Sequence, residues 1–552
     1  MSDVLELSYQ LAELPSAQHR AGLAGLVLCL YYLDKQSWFN ERQKSGAIVE
    51  FDQDSLDEFG VTIRLNEAGL KALFDYTYDA FKDERSTQNK VKDADRIEEK
   101  EITDEKGKVK TIKIYHYSVL QPKAAFLPAL DLSSEEPNRG LWIKLWRDMV
   151  WNIVRGVPAT RNPFVEERWE KGYTKDSDEW KSLQKSEKST GQTGQYFLGS
   201  AAINAENVPT KDQVKYQFLL HFWVFVSQVY CPMVTDSEGK PEQVGYAIAV
   251  PDVANLSLFC EEFCDALQNH RNNDPWPRRR FLPREAVIDV PEESALDLLR
   301  LLKDRIGRKG KQLDDLVLGA EIIQAEKVST SGVKIRSIGY VEAIESTIDR
   351  YSNLQRLYWC HWFRKQRLLN LLRSQPDPDQ PDRLKEVPAW IEFDALLSRV
   401  PRRWLQDSAF SHDARMLFEH EVKVKEMKEV RDYAKIVYKV CQGYVLGKLA
   451  SKYDLTWDEC KGNPKKEKDY NEKKEKVVNE AFLSVRSRTD QQAFIDYFVS
   501  SLYPRVKESE FVQFAEALYS KTDEIRALTL LALSSQFPLP SKDSKQAQES
   551  AA

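Results

Sequence analysis

Helical spacing of apolar residues takes over this chain from Glu342 onward, while the part before it mixes helical runs with alternating, strand-like runs. That change of period predicts an α+β chain: a large mixed N-terminal domain with antiparallel strands and many helices, followed by a C-terminal helical bundle. The expected domains are 1–410 and 411–552, with Pro388 to Pro401 as a junction and a polar, frayed tail at 541–552. In the bundle, Tyr433, Val437, Val440 and Tyr444 share one helical face. Phe494, Phe498 and Leu502 share another, as do Phe511, Phe514 and Leu518. Lys461 to Lys476 reads as a charged linker that interrupts these helices.

The first segment reads as two helices broken at Pro15, with Ser16 as N-cap of the second. Residues 61–83 read as a further helix. Glu101 to Thr103 and Val109 to Tyr115 alternate around Glu105-Lys106-Gly107-Lys108, a hairpin signal within a charged, solvent-facing arm. Residues 138–156 read as an apolar, aromatic helix stopped by Gly156 and Pro158. Lys171 to Gln195 is a polar stretch, of a length that in a compact domain marks a functional or disordered loop. Val244 to Val250 reads as a strand, the residues after it through Leu267 as a helix, and Ala320 to Ala343 as two strands joined at Ser329 to Gly332.

Hydrophobic residues make up 42% and charged residues 30% of the 552, a composition that buries a large core in water. The longest apolar run, Ala21 to Leu33, falls short of the roughly 20 residues that span a bilayer, and no secretion leader is expected. The formal net charge is -6, which excludes a general polyanion binder; contact with nucleic acid has to come from local patches or partner subunits. Seven scattered cysteines fit a reducing cytoplasm and argue against a disulfide framework.

The motifs of chemistry are missing. There is no Gly-Lys-Ser/Thr phosphate loop and no dinucleotide-binding glycine pattern. Cys260 and Cys264 have no second pair to complete a zinc site and read as packing cysteines. Cys360 and His361 are adjacent, so on a helix they diverge, poor geometry for a nucleophile and its base. His412-Asp413 is a lone metal-type pair, and His221 sits in an apolar run as a core histidine. No catalytic residue, metal or cofactor is assigned, which leaves an enzyme open but without support in the residues.

Binding features are stronger. Arg155, Arg161 and Arg168 bracket a turn, Arg278, Arg279 and Arg280 follow Trp276, and Arg402 and Arg403 precede Trp404. Arginine beside aromatics contacts phosphates and stacks on bases, although each cluster fits a surface ion pair equally well. Gln192, Gln195, Asn204 and Asn207 carry the amides that bond base edges and sugars. Asn204 and Asn207 serve equally as turn or helix caps.

Four segments in order resemble a known family: Leu14 to Leu26 (LPSAQHRAGLAGL), Arg155 to Phe164 (RGVPATRNPF), Leu198 to Glu206 (LGSAAINAE) and Ala247 to Val253 (AIAVPDV). Together they resemble the large subunit of a type I CRISPR Cascade, nearest the type I-B and myxobacterial-type group. The resemblance implies a non-catalytic subunit at the foot of an RNA-guided complex. Its implied partners are the guide crRNA, duplex target DNA bearing a short protospacer-adjacent motif (PAM), the backbone and small subunits, and a helicase-nuclease. In a transposon-associated variant, transposition proteins replace the nuclease. It further implies PAM reading, help in duplex opening and R-loop formation, and nuclease recruitment. On that basis Gln192, Gln195, Asn204 and Asn207 are the candidate readers, and Arg155, Arg161, Lys211, Arg278, Arg279 and Arg280 the candidate phosphate anchors. Met416 and Met427 are candidate internal starts for a separately made small subunit. The competing readings are a metal-dependent nuclease using His412 and Asp413, and a helical scaffold that binds only protein.

Overall fold

The computed structural model describes residues 4–87, 94–103, 109–122, 165–166, 170–172, 175–191, 211–235, 241–267, 286–327, 333–357, 360–373, 376–377, 380–384, 390–399, 408–421, 432–504 and 511–538, with 142, 145, 146, 149 and 168. Antiparallel sheets fill the N-terminal part and helices the C-terminal part, the expected α+β arrangement. Contacts divide the chain into two compact units, 1–345 and 346–552.

The first unit starts on a strand, not a helix. Leu7 and Tyr9 are buried while Glu6, Ser8 and Gln10 are exposed, which is the period of two that a half-covered strand needs. β1 (Leu5–Gln10), β2 (Val49–Phe51) and β3 (Gly60–Leu65) form an antiparallel sheet in the order β1-β3-β2. Between β1 and β2 run α1 (Ala17–Asp34) and α2 (Ser37–Lys44). The expected helix at 61–83 is in fact the last part of β3, then α3 (Glu67–Tyr78), then β4 (Asp79–Thr87). Asn66 makes that division, because its side chain accepts from Gly69 N–H and so starts α3.

The hairpin arm is present. β5 (Arg96–Thr103) pairs with β6 (Val109–Pro122), β6 pairs with β4, and a short β7 (Val165–Glu166) lies parallel beside β4. His116 on β6 ties the three long strands, with Nδ1 2.7 Å from Glu84 of β4 and Nε2 3.1 Å from Glu98 of β5. Of the expected helix at 138–156, Trp142, Leu145, Trp146 and Met149 are described; they are helical and buried. Trp146 donates its indole N–H to Val224 C=O at 2.9 Å and stacks on Phe225.

The polar stretch from Lys171 is not a plain loop. It holds α4 (Lys175–Leu183) and β8 (Ser189–Gly191), and β8 pairs with β9 (Lys211–Gln213). α5 (Val214–Leu219) follows. The large sheet then assembles from β10 (Gln228–Thr235), β11 (Pro241–Gln243), β12 (Tyr246–Val253), β13 (Val287–Ile288), β14 (Val317–Lys327) and β15 (Val333–Glu342). Its order is β11-β10-β12-β14-β15, antiparallel throughout, with β13 parallel beside β10. Seven successive residues of β12 are buried, so both of its faces are covered; α1 and α7 (Glu293–Ile306) pack on it. α6 (Leu256–Leu267) carries Phe259 and Phe263, stacked in the core, with Cys264 buried beside them. Burial pushes the Cys260 thiol up, as expected of a packing cysteine.

The second unit is helical around one buried element. α8 (Glu345–Leu357) leads into it, then α9 (His361–Leu372), a small ribbon of Pro376–Asp377 with Gln380–Leu384, α10 (Phe393–Arg399) and α11 (Ser408–Met416). α12 (Asp432–Tyr453), α13 (Trp457–Cys460), α14 (Pro464–Arg486), α15 (Gln491–Tyr497), α16 (Phe511–Ser520) and α17 (Thr522–Ser534) complete it. Every residue of α17 from Ile525 onward is buried, and α10, α11, α12 and α14 all pack on it. The described part of the expected junction, residues 390–399, is therefore built into the bundle. Trp390 donates to Glu524 at 2.5 Å, and Arg526 pairs with Asp394 at 3.4 Å. The charged linker is also a helix. Asn463 caps α14 by accepting from Lys465 and Lys466 N–H, and Pro464 occupies the first turn, where no N–H is needed.

Candidate nucleic-acid interface

The segment Leu14 to Leu26 becomes an anchoring helix. Ser16 caps α1, as the sequence predicts, by accepting from His19 N–H at 3.4 Å. Its Oγ also lies 2.7 Å from His19 Nδ1, and His19 Nε2 lies 2.8 Å from Asp212 Oδ2 on β9. One proton placement satisfies all three groups: the Ser16 O–H donates to Nδ1, and Nε2–H donates to the carboxylate. The two flanking residues reach other strands. Gln18 donates to Glu321 Oε1 on β14 at 2.7 Å. Arg20 donates to Asp252 Oδ1 on β12 at 2.5 Å, and the Tyr340 O–H on β15 donates to Asp252 Oδ2 at 2.8 Å. Burial raises the Glu321 carboxyl above its ordinary range, against the bond from Gln18. The glycines of the same segment allow close approach. A Cβ on Gly22 would meet Leu219 O at 2.4 Å, and one on Gly25 would meet Phe222 O at 2.2 Å.

α1 thus holds the base of the β8–β9 ribbon. Gly191 stands opposite Lys211, Thr190 opposite Asp212 and Ser189 opposite Gln213. Val214 N–H donates to Lys188 C=O at 3.1 Å, and Lys215 N–H to Ser186 C=O at 3.0 Å. The Gln217 amide donates to Thr190 Oγ1 at 2.9 Å, and the Tyr9 O–H to Lys215 C=O at 3.1 Å. Lys185, Lys188 and Lys211 are exposed on this ribbon and its turn, with no ion-pair partner among the described residues. Cations left unpaired on a chain of net charge -6 are available to an anion.

Of the candidate site residues, Lys211 is the one that the structure places in this region. Arg155, Arg161, Gln192, Gln195, Asn204, Asn207, Arg278, Arg279 and Arg280 lie outside the described residues, as do Arg402, Arg403 and Met427. Met416 ends α11, half-buried. Arg168, grouped with Arg155 and Arg161 in the sequence, is fully buried and cannot contact a phosphate. It pairs with Asp75 at 2.6 Å and with Asp176, and its N–H bonds Asp79. His221 is a core histidine, its Nδ1 2.7 Å from the Tyr78 hydroxyl. Asp413 is buried, accepts from Cys360 N–H at 2.5 Å and contacts His412 Nδ1 at 3.0 Å. Among the described residues no group of three or more His, Cys, Asp and Glu could hold a metal ion, and no helix is long and apolar enough to cross a membrane. His19 and Asp212 escaped the sequence reading. The Ser16 cap placed His19 one turn into a helix, but nothing local marks Asp212 as its partner.

Two family models match this chain. One, described as the type I-B CRISPR Cas8b N-terminal domain, matches residues 48–312; the other, described as the type I-B CRISPR Cas8b C-terminal domain, matches residues 317–536. The chain belongs to the Cas8b family. Cas8b is the large subunit of a type I-B Cascade, a complex with crRNA and other Cascade subunits. No curated protein matches the chain. The Leu14 to Leu26 segment precedes the span matched to the Cas8b N-terminal domain, yet the Arg20–Asp252 pair fastens it to the Ala247 to Val253 segment inside that span.

Proposed function

We propose that this Cas8b chain is a non-catalytic PAM reader: it binds the short flanking motif on duplex DNA, aids duplex opening and R-loop formation, and presents a surface to the helicase-nuclease. The match to both Cas8b domains, across residues 48–536, carries the reading. The exposed lysines on the β8–β9 ribbon support it, because they flank the residues proposed as readers: Gln192, Gln195, Asn204 and Asn207. Lys211, Arg155, Arg161, Arg278, Arg279 and Arg280 would serve as phosphate anchors, setting register without sequence information. Against a nuclease built on His412 and Asp413, Asp413 is buried and accepts from Cys360 N–H. We also propose the cytoplasm as its compartment, 1–410 and 411–552 as functional divisions, and Met416 or Met427 as a start for a small-subunit product.

The test uses the whole Cascade, purified with its crRNA, against target duplexes whose flank is randomised. Alanine at Gln192, Gln195, Asn204 or Asn207 flattens the flank preference, each lost base contact costing about 1–3 kcal/mol of discrimination. Alanine at Arg155, Arg161 or Lys211 weakens every duplex alike and reduces the salt dependence of binding. A flank preference untouched by all four amide substitutions refutes the assignment of readers.

A further inference from the structure

The Ser16–His19–Asp212 chain is a buried polar device that packing alone does not need. His19 is 1% exposed and Asp212 has a side chain 9% exposed, so the bond between them is shielded from water and from salt. It joins two elements far apart in sequence, the first turn of α1 and the middle residue of β9. Arg20 and Gln18, on either side, fasten the same turn to β12 and β14 of the large sheet. The ribbon is thereby referenced to the large sheet through a single helical turn. Two further bonds complete the seat: Tyr9 O–H to Lys215 C=O, and Tyr216 O–H to Glu13 at 3.3 Å.

We infer that His19 is a positioning residue for DNA recognition: through Asp212 it fixes where the β8–β9 ribbon, with Lys188 and Lys211 on it, meets the duplex. This rests on the reading that residues between Gly191 and Lys211 contact the flanking motif. Phosphate contacts tolerate small displacements, since a lysine is a flexible point charge, whereas base-edge bonds do not. A ribbon that loses its seat therefore keeps its general affinity for DNA and loses discrimination between flanks.

Two substitutions test this in the assembled complex. His19→Phe keeps the buried ring volume and removes the bond to Asp212; Asp212→Ala removes the bond from the other side. Each is assembled with the crRNA and partner subunits, and enrichment from the randomised-flank duplex library is compared with binding to duplex lacking a target. The expected result is normal subunit and RNA content and unchanged affinity for non-target duplex. Flank preference falls by about tenfold or more, the size of one to two lost base contacts. Intact flank preference in an assembled variant overturns the inference, and the reading of the segment survives if Gln192→Ala or Asn204→Ala still flattens it. Preference unaffected by any of these substitutions overturns both. Failure of both His19→Phe and Asp212→Ala to assemble assigns the pair to folding and also overturns the inference.

Discussion

At the scale of single residues, several buried charges of this chain are held by pairing. Arg168 shows what that means: a fully buried guanidinium between Asp75 and Asp176 joins α3 to α4. One ionisable group is less well served. Lys474 on α14 is pushed down to about 8, first by burial and then by the nearby Arg415 charge. A base whose folded value lies below its ordinary 10.5 binds fewer protons in the folded state than in the unfolded state between those values. The contribution of Lys474 to the stability of the second unit should therefore rise from about pH 8 to about pH 10.5, against the loss that the raised Cys441 thiol and Tyr433 hydroxyl bring over the upper part of that range. Lys474→Met should stabilise the chain at pH 7 by on the order of 1 kcal/mol, allowing for its partial exposure, and remove that rise. Thermal melts at pH 7 and pH 10 check both statements. His221 and Ser16 were legible because apolar neighbours and cap position are local signals. Arg168 was not, because its partners lie on other elements and only the fold brings them within reach.

Elements follow the same division between local and distant causes. α1 was readable from Ser16 onward, and the β5–β6 and β14–β15 hairpins from alternation around a turn. The strand at Leu5–Gln10 was missed because its alternation spans only six residues, too short to outweigh a helical reading. α14 was missed because its solvent face is nearly all charge; its buried stripe of Tyr470, Val477, Ala481, Phe482 and Val485 shows only over the full helix. Gly22 and Gly25 explain why α1 can lie against the backbone of residues 219–222. Gly25→Ala places a methyl 2.2 Å from Phe222 O, so α1 must move away from its neighbour. The expected cost is about 1–3 kcal/mol, measured by denaturant unfolding, with Gly22→Ala close behind. Ala24→Gly in the same helix costs about 1 kcal/mol in helix propensity plus the loss of a fully buried methyl, and it shows the effect of removing side-chain volume rather than adding it.

For the whole molecule, two compact units set what can be cut from what. The second unit gathers on α17, and part of its cover comes from residues ahead of 411. Trp390, Phe393, Leu397 and Phe410 are buried there, and Trp390 bonds Glu524. A fragment of residues 346–552 should therefore unfold cooperatively. One beginning at Met416 should melt at lower temperature and bind hydrophobic dye, because α17 loses the cover of α10 and most of α11. Differential scanning calorimetry of the two fragments decides it. The division at 345 was not legible, since Glu345 and Ser346 fall inside one helix and nothing in the local sequence marks a boundary. The facing pair Gly191 and Lys211 has a different consequence at this scale. Chain leaves and returns to the scaffold at points one strand spacing apart, about 5 Å. Lengthening an insert closed in this way costs only about 0.6 kcal/mol per doubling. The scaffold can then accept inserts of many lengths between these two points while the pairing of β8 with β9 stays as it is.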